Sequence, residues 1–168
     1  MNKADITSLY ASMPERQQAQ GVIAHVKNLI SSGNTRKARE FFDEFNLIEG
    51  HDYAKAVIGK MLISAYGKCG ETDAAIGLYE LLENLPSEDD VSYTVATALL
   101  TLASILLPER LNIALTFWER LAKRELPLEA LWAMSKTGIK ILKIAISNED
   151  KDTQKRVYRY LYPDAEMI

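Results

Sequence analysis

The residues best suited to covalent or metal chemistry are few. His25, His51 and Cys69 supply every imidazole and thiol in the 168-residue chain. His51 precedes Asp52, a pair that can begin a metal-ligand set, but a metal-dependent hydrolase needs further His and Asp ligands and only His25 remains. The pair reads as a solvated helix start. Cys69 lies in Lys68-Cys69-Gly70, where a lysine can lower a thiol pKa, yet no partner histidine is evident. Gly67, Gly70 and Gly77 lack the preceding strand that a phosphate-cradling loop needs. Glu80, Glu83 and Glu119 fall at helical spacing and are expected to pair with neighbouring lysines or arginines. Arg36-Lys37-Ala38-Arg39 reads as a solvated helix face. One cysteine excludes an intramolecular disulfide, and with two histidines it leaves no structural zinc set. The expectation is a protein that is not an enzyme and uses no cofactor.

Composition bounds the rest. Hydrophobic residues make up 48% of the chain and charged residues 26%, the balance of a folded domain rather than a disordered one. The length suits a single domain over residues 1–168. A net charge of −3 provides no global attraction for nucleic acid. The N-terminus lacks an apolar core flanked by basic residues, and a lone cysteine suits a reducing compartment, so a cytoplasmic location is expected. The most apolar stretch, Val91–Leu107, contains two serines, three threonines and a tyrosine and stops at Pro108. It reads as a buried central helix rather than a membrane span, which needs about 20 predominantly apolar residues.

Helix formers dominate and no segment alternates at period two. Ser12 and Glu15 flank Pro14 as a capping box, Ser87 precedes three acids, and Pro108 and Pro127 are placed at first helical turns. Gly33-Asn34 and Gly70 read as helix stops, and Pro163 ends the last helix. The resulting helices span 3–12, 13–31, 35–46, 52–68, 72–84, 88–106, 108–124, 127–147 and 150–161. Short connections make neighbours antiparallel, so the chain becomes a series of hairpins.

The hairpins repeat. Ala38, Ala75 and Ala114 are each followed four residues later by Phe42, Tyr79 or Trp118, then after three more by Phe45, Leu82 or Leu121. Asp43, Glu80 and Glu119 follow the aromatics directly. The units are offset by 37 and then 39 residues, with a weaker copy at Gln154, Tyr158 and Leu161. First helices keep the same register through Val26, Ile63, Leu102 and Leu142 and through Leu29, Tyr66, Ile105 and Ala145. Alanine lets paired helices approach, and the aromatic one turn later fills the wedge between hairpins.

Leu62–Glu80, LISAYGKCGETDAAIGLYE, resembles the helix–turn–helix core of pentatricopeptide repeats, with Gly70 five residues before Ala75 and Tyr79 directly before Glu80. Asp90-Val91-Ser92-Tyr93 is similar to that family's lead into the next repeat, and Gly33–Ala38 repeats the glycine-to-alanine spacing. Tetratricopeptide repeats share the alanine and aromatic columns, but bulky Val26, Ile63 and Leu102 lean toward the pentatricopeptide type. The resemblance is closest over residues 59–93. It implies an all-α, right-handed α-solenoid of three to four antiparallel hairpins, preceded by a helix within residues 1–13 and capped by residues 150–168. Pentatricopeptide arrays bind single-stranded RNA through a polar residue near the start of each first helix. Lys60 holds that position here, but Ile23, Leu99 and Ile139 hold it elsewhere and cannot read a base edge.

In such a solenoid the first helices line the concave face. The register places Gln20, Ile23, Lys27 and Ile30 there, then Val57, Lys60, Ser64, Gly67 and Lys68. Ala96, Leu99, Ala103 and Leu106 follow, then Lys136, Ile139, Lys143 and Ile146. Lysines flank an apolar middle, which suits a partner protein or peptide that is amphipathic or acidic. The expected contacts are Lys27, Lys60, Ser64, Lys68, Leu99, Ala103, Lys136 and Lys143. The opposing expectation is that the middle stripe is core beneath a closing C-terminal helix. Trp132, Tyr158, Tyr160 and Tyr162 suggest a second contact or self-association surface, against the alternative of folding back on the preceding helix. The leading expectation is an adaptor or chaperone. An RNA-associated pentatricopeptide-like protein, a bacterial secretion-type chaperone or effector-associated repeat protein, and a small all-α enzyme are the alternatives.

Overall fold

A computed structural model describes residues 15–164, and those residues contain helices and no strand. In chain order the helices are α1 (Glu15–Ser31), α2 (Thr35–Asn46), α3 (Asp52–Lys68), α4 (Thr72–Glu83), α5 (Asp89–Leu106), α6 (Leu111–Ala122), α7 (Leu128–Ser147) and α8 (Lys151–Leu161). The helix expected at 3–12 and the capping box at Ser12 lie outside the described residues. No described helix is long and apolar enough to cross a membrane.

The helix ends follow backbone chemistry. Gly33 and Gly70 take φ of 80° and 73°, a region open to glycine because it has no Cβ. Their turns let Asn34 N–H reach the Leu29 carbonyl (2.8 Å) and Glu71 N–H reach that of Tyr66 (2.9 Å). Both bonds satisfy carbonyls left open at a helix C-terminus. Asp150 N–H closes α7 onto the Ala145 carbonyl in the same way at 2.9 Å, but there Glu149 holds the left-handed position, at φ 58°. The Asp150 carboxylate then caps α8, accepting from the Thr153 N–H (3.1 Å) and hydroxyl (2.6 Å). Those two bonds hold its pKa below the usual aspartate value.

Two proline expectations are corrected. Pro108 does not open a helix: Leu107 is extended, Arg110 is the N-cap, and α6 begins at Leu111. Pro127 is the N-cap of α7 rather than its first helical residue. Both still stand where no helical N–H donor is required.

Packing forms two layers. The odd-numbered helices lie in a row, α1 on α3, α3 on α5 and α5 on α7. Each even-numbered helix packs on the odd helix before it, and α2, α4 and α6 also touch the odd helix that follows. The apolar columns land between the layers: Ala38, Ala75 and Ala114 are buried, as are Phe42, Tyr79 and Trp118, and Phe45, Leu82 and Leu121. The weaker copy on α8 stays half-buried at Gln154, Tyr158 and Leu161. Trp118 fixes the last hairpin. Its indole N–H donates to the Met134 carbonyl at 2.8 Å, and Tyr160 meets its ring edge-on with centroids 4.7 Å apart. Gly138 leaves room for that ring; a Cβ there would lie 2.8 Å from Trp118 Cζ2.

Arginine–carboxylate pairs join successive even helices on the outer layer. Arg110 meets Asp73 at 2.6 Å, Arg120 meets Glu83 at 2.7 Å, and Arg156 meets Glu119. Each arginine follows its acid by 37 residues. Arg124 adds a bond to the Glu83 carbonyl at 2.8 Å. The expected pairing of Glu83 and Glu119 is therefore met by arginines of the next even helix, not by residues of their own helices.

Candidate partner-binding face

The even helices cover one side of the odd-helix row. On the other side, two clefts run across it. One, of about 380 Å3, is lined by Lys27 and Ile30 of α1 and by Val57, Lys60, Met61 and Ser64 of α3, and reaches Thr101 of α5. The second, about 530 Å3, continues from Ser64, Gly67 and Lys68 across Leu100, Thr101, Ser104 and Ile105 to Lys136 and Lys140 of α7. Ser64 and Thr101 belong to both, so the clefts form one continuous groove. Its floor is small, hydroxyl-bearing or aliphatic. Thr101 and Ser104 return their hydroxyls to the Thr97 and Leu100 carbonyls, each at 3.2 Å, which leaves no unmet donor on the floor from these two residues.

Lys27, Lys60, Lys68, Lys136 and Lys140 surround this groove. Among the described residues every ion pair uses arginine, and no carboxylate pairs with any of these lysines. Lys136 Nζ instead sits 4.4 Å from the centroid of the Trp132 ring, a cation–π contact.

The N-terminal end of the same face carries the opposite charge. Asp89, Asp90 and Glu129 surround Tyr93 and Trp132 in a hollow of about 630 Å3. Asp52, Glu88 and Asp90 surround Tyr53 in another, of about 940 Å3. Because α3, α5 and α7 bring their N-termini to one edge, the acids there complement the helix dipoles, as Lys68 does in the last turn of α3. The face is thus polarised along the helix axes.

The structure brings Lys27, Lys60, Ser64, Lys68 and Lys136 to this groove. Lys143 is exposed on α7 but lines neither cleft. Leu99 and Ala103 are placed differently from the expectation: both are fully buried in the core and present nothing to a partner. With α3 on one side and α7 on the other, α5 exposes only a narrow strip shifted by one residue, through Leu100, Thr101, Ser104 and Ile105. The spacing of Thr101 and Ser104 was the available signal, since polar residues three apart share a helix face.

The other chemistry-bearing residues stay apart. No group of three His, Cys, Asp or Glu residues able to hold a metal occurs among the described residues. His25 packs against Phe41 with ring centroids 4.8 Å apart, and burial lowers its pKa. Cys69 is exposed at the C-cap of α3. Arg36 and Arg39 pair with Glu40 (3.2 Å) and Asp43 (2.9 Å) on their own helix. Lys55 is buried and donates to the Ile48 carbonyl, which ties the α2–α3 connection to α3; burial lowers its pKa. The buried Tyr79 hydroxyl has no hydrogen-bond partner among the described residues, and burial pushes its pKa up.

No protein-family model matches the chain, and neither a curated protein nor a solved structure does.

Proposed function

We propose that this chain is a non-enzymatic interaction module, a tetratricopeptide- or pentatricopeptide-like α-solenoid whose concave face is the odd-helix groove, and that it holds a segment of a partner polypeptide there as an adaptor or chaperone. The observation that carries this reading is the continuous groove over α1, α3, α5 and α7, ringed by five lysines that no described carboxylate neutralises. A floor of aliphatic side chains and self-satisfied hydroxyls, with a cationic rim, suits an acidic amphipathic segment. The two-layer packing and the 37-residue offset of the arginine pairs support the solenoid part.

The lysines alone would equally suit the phosphates of RNA. The edge formed by Asp89, Asp90 and Glu129 on the same face would repel a polyanion running the length of it, and this favours a polypeptide segment whose acids are confined to the lysine end. The test is fluorescence anisotropy with a labelled acidic amphipathic peptide and a labelled single-stranded RNA oligonucleotide, each over a salt series. The peptide is expected to bind, and combined Lys27→Glu, Lys60→Glu and Lys136→Glu is expected to weaken it roughly tenfold or more. Tight RNA binding that collapses steeply with salt, with no peptide binding, would replace this reading with the RNA-associated one.

A further inference from the structure

The last odd helix carries a second surface, which shares Lys136 and Lys140 with the groove but has an apolar line of its own. Leu128, Trp132, Ile139 and Ile146 are 79%, 54%, 40% and 56% exposed, and their spacing of four, seven and seven residues puts them in one line along α7. Ser135 and Leu142, both half-buried, flank that line on one side. Lys136, Lys140 and Lys143 flank it on the other, all exposed. This is an apolar stripe running the length of a helix of 20 residues with a cationic border.

The register gives the stripe its meaning. Ala96, Leu99, Ala103 and Leu106 of α5 match Lys136, Ile139, Lys143 and Ile146 of α7. In α5, which packs between α3 and α7, all four are buried. In α7 all four are exposed, because no further odd helix follows among the described residues. The stripe therefore holds the positions that are covered on α5 and open on α7, kept apolar at Ile139 and Ile146 but edged with lysines where α5 has alanines.

We infer that this face of α7 docks an amphipathic helix of a partner protein, apolar on the side that meets Trp132, Ile139 and Ile146 and acidic on the flank that meets Lys136, Lys140 and Lys143. The partner helix takes the place that α7 takes on α5. Charge selects the occupant. A second copy docked in parallel would set lysines against lysines and would set Glu129, Asp89 and Asp90, the acids around Trp132, against their own counterparts. An acidic helix neutralises the row and lays its apolar side on the stripe. The surface stands whether or not the groove binds anything, since Ile139 and Ile146 line neither cleft.

The test uses the full chain and two synthetic helical peptides of about 20 residues, long enough to match the stripe. Both carry leucines at the stripe's spacing; one is flanked by glutamates, the other by lysines. Trp132 is half-exposed and Trp118 is buried, so binding is read from a blue shift of tryptophan emission, with Trp132→Phe as the control that removes it. The glutamate peptide is expected to bind and the lysine peptide to fail. Ile139→Asp with Ile146→Asp is expected to weaken binding at least tenfold while leaving the helical circular dichroism unchanged, because both sites are exposed. Lys136→Glu with Lys140→Glu and Lys143→Glu is expected to invert the preference between the peptides. Lys27→Glu with Lys60→Glu, confined to the groove, is expected to change nothing here, which keeps failure of this inference distinct from failure of the groove reading. Absence of glutamate-peptide binding overturns the inference, as does equal binding of both peptides. A concentration-dependent dimer in sedimentation velocity that Ile139→Asp dissociates overturns it in favour of a second copy.

Discussion

Helices α5 and α7 are similar in length and in apolar content, and they have different fates. Leu99, Leu102 and Leu106 of α5 are sealed between α3, α7 and the even-helix layer. Ile139, Leu142 and Ile146 of α7 hold the matching positions, yet two of them are exposed and one is half-buried. Burial in a row of helices belongs to the neighbour as much as to the residue, because the main contacts of each odd helix are with the helices beside it. An interior helix spends both flanks on packing, whereas the last one keeps a flank open. Lysine replaces alanine at two of the four matched positions on that flank, at Lys136 and Lys143. This substitution makes the open flank tolerable in water, since a long lysine stem can cover apolar surface while its charge stays hydrated.

The sharpest way to break this comparison is to truncate the matched pair. Leu99→Ala removes a fully buried side chain between two packed helices and is expected to cost about 3 kcal/mol. Ile139→Ala, at the same register on α7, is expected to cost about 1 kcal/mol or less, because 40% of that residue is already exposed to water. Urea unfolding of the two variants measures both. Equal losses would mean that α7 is covered in solution by something that protects Ile139, and the two helices would no longer differ.

What the sequence could and could not disclose follows the same division. Local chemistry was legible. Gly33 and Gly70 stop α1 and α3 where their backbone demands, and the alanine and aromatic columns face the space between layers. Pro108 was misplaced because a proline that follows one helix and precedes another fits either a first turn or a connection, and nothing local separates the two. Lys27, Lys60, Lys68 and Lys136 were legible from the helix register, whereas Lys140 was missed and Lys143 was expected at a groove that it does not line. Leu99 and Ala103 were misplaced because α5 is apolar over most of its surface, and only the spacing of Thr101 and Ser104 marks which side stays open. The register placed Lys136, Ile139, Lys143 and Ile146 of α7 on one face, but that no described helix covers this face was hidden, as were the arginine pairs across even helices. Both depend on which helix stands next to which, a property that no single segment carries.

Interior and terminal positions also differ in their ion pairs. Glu83 is buried at the end of α4 and depends on Arg120 of α6 for its charge partner, with Arg124 holding its carbonyl. Arg120→Ala would leave a buried carboxylate without its ion-pair partner. The loss is expected at about 1–2 kcal/mol, below the range for a fully buried pair because Arg120 itself is half-exposed. Arg156, which joins the terminal helix α8 to Glu119, pairs with a carboxylate that water already reaches. Arg156→Ala is expected to cost a few tenths of a kcal/mol and to lose even that at high salt. Thermal unfolding at low and high ionic strength separates the two. A larger loss at Arg156 would reverse the ranking of interior over end.

The smallest effect bears on how the terminal hairpin is closed. Helices α1, α3 and α7 end on the same hydrogen-bond pattern, but glycine occupies the left-handed position after α1 and α3, and Glu149 occupies it after α7. An L-residue with a Cβ pays roughly 1–2 kcal/mol to enter that region, and glycine does not. Against this, glycine gives the unfolded chain more freedom to lose, an opposing contribution of about 0.4–1 kcal/mol. The first effect is larger, so Glu149→Gly is expected to stabilise the chain by about 0.5–1 kcal/mol, read as a higher urea midpoint at unchanged slope. The same exchange at an ordinary helical position would destabilise, so the sign of the change reports the backbone and not the loss of a surface charge. A destabilised Glu149→Gly would mean that the carboxylate does work at the α7–α8 corner which its backbone strain conceals, and the last hairpin would then be closed by different physics from the first two.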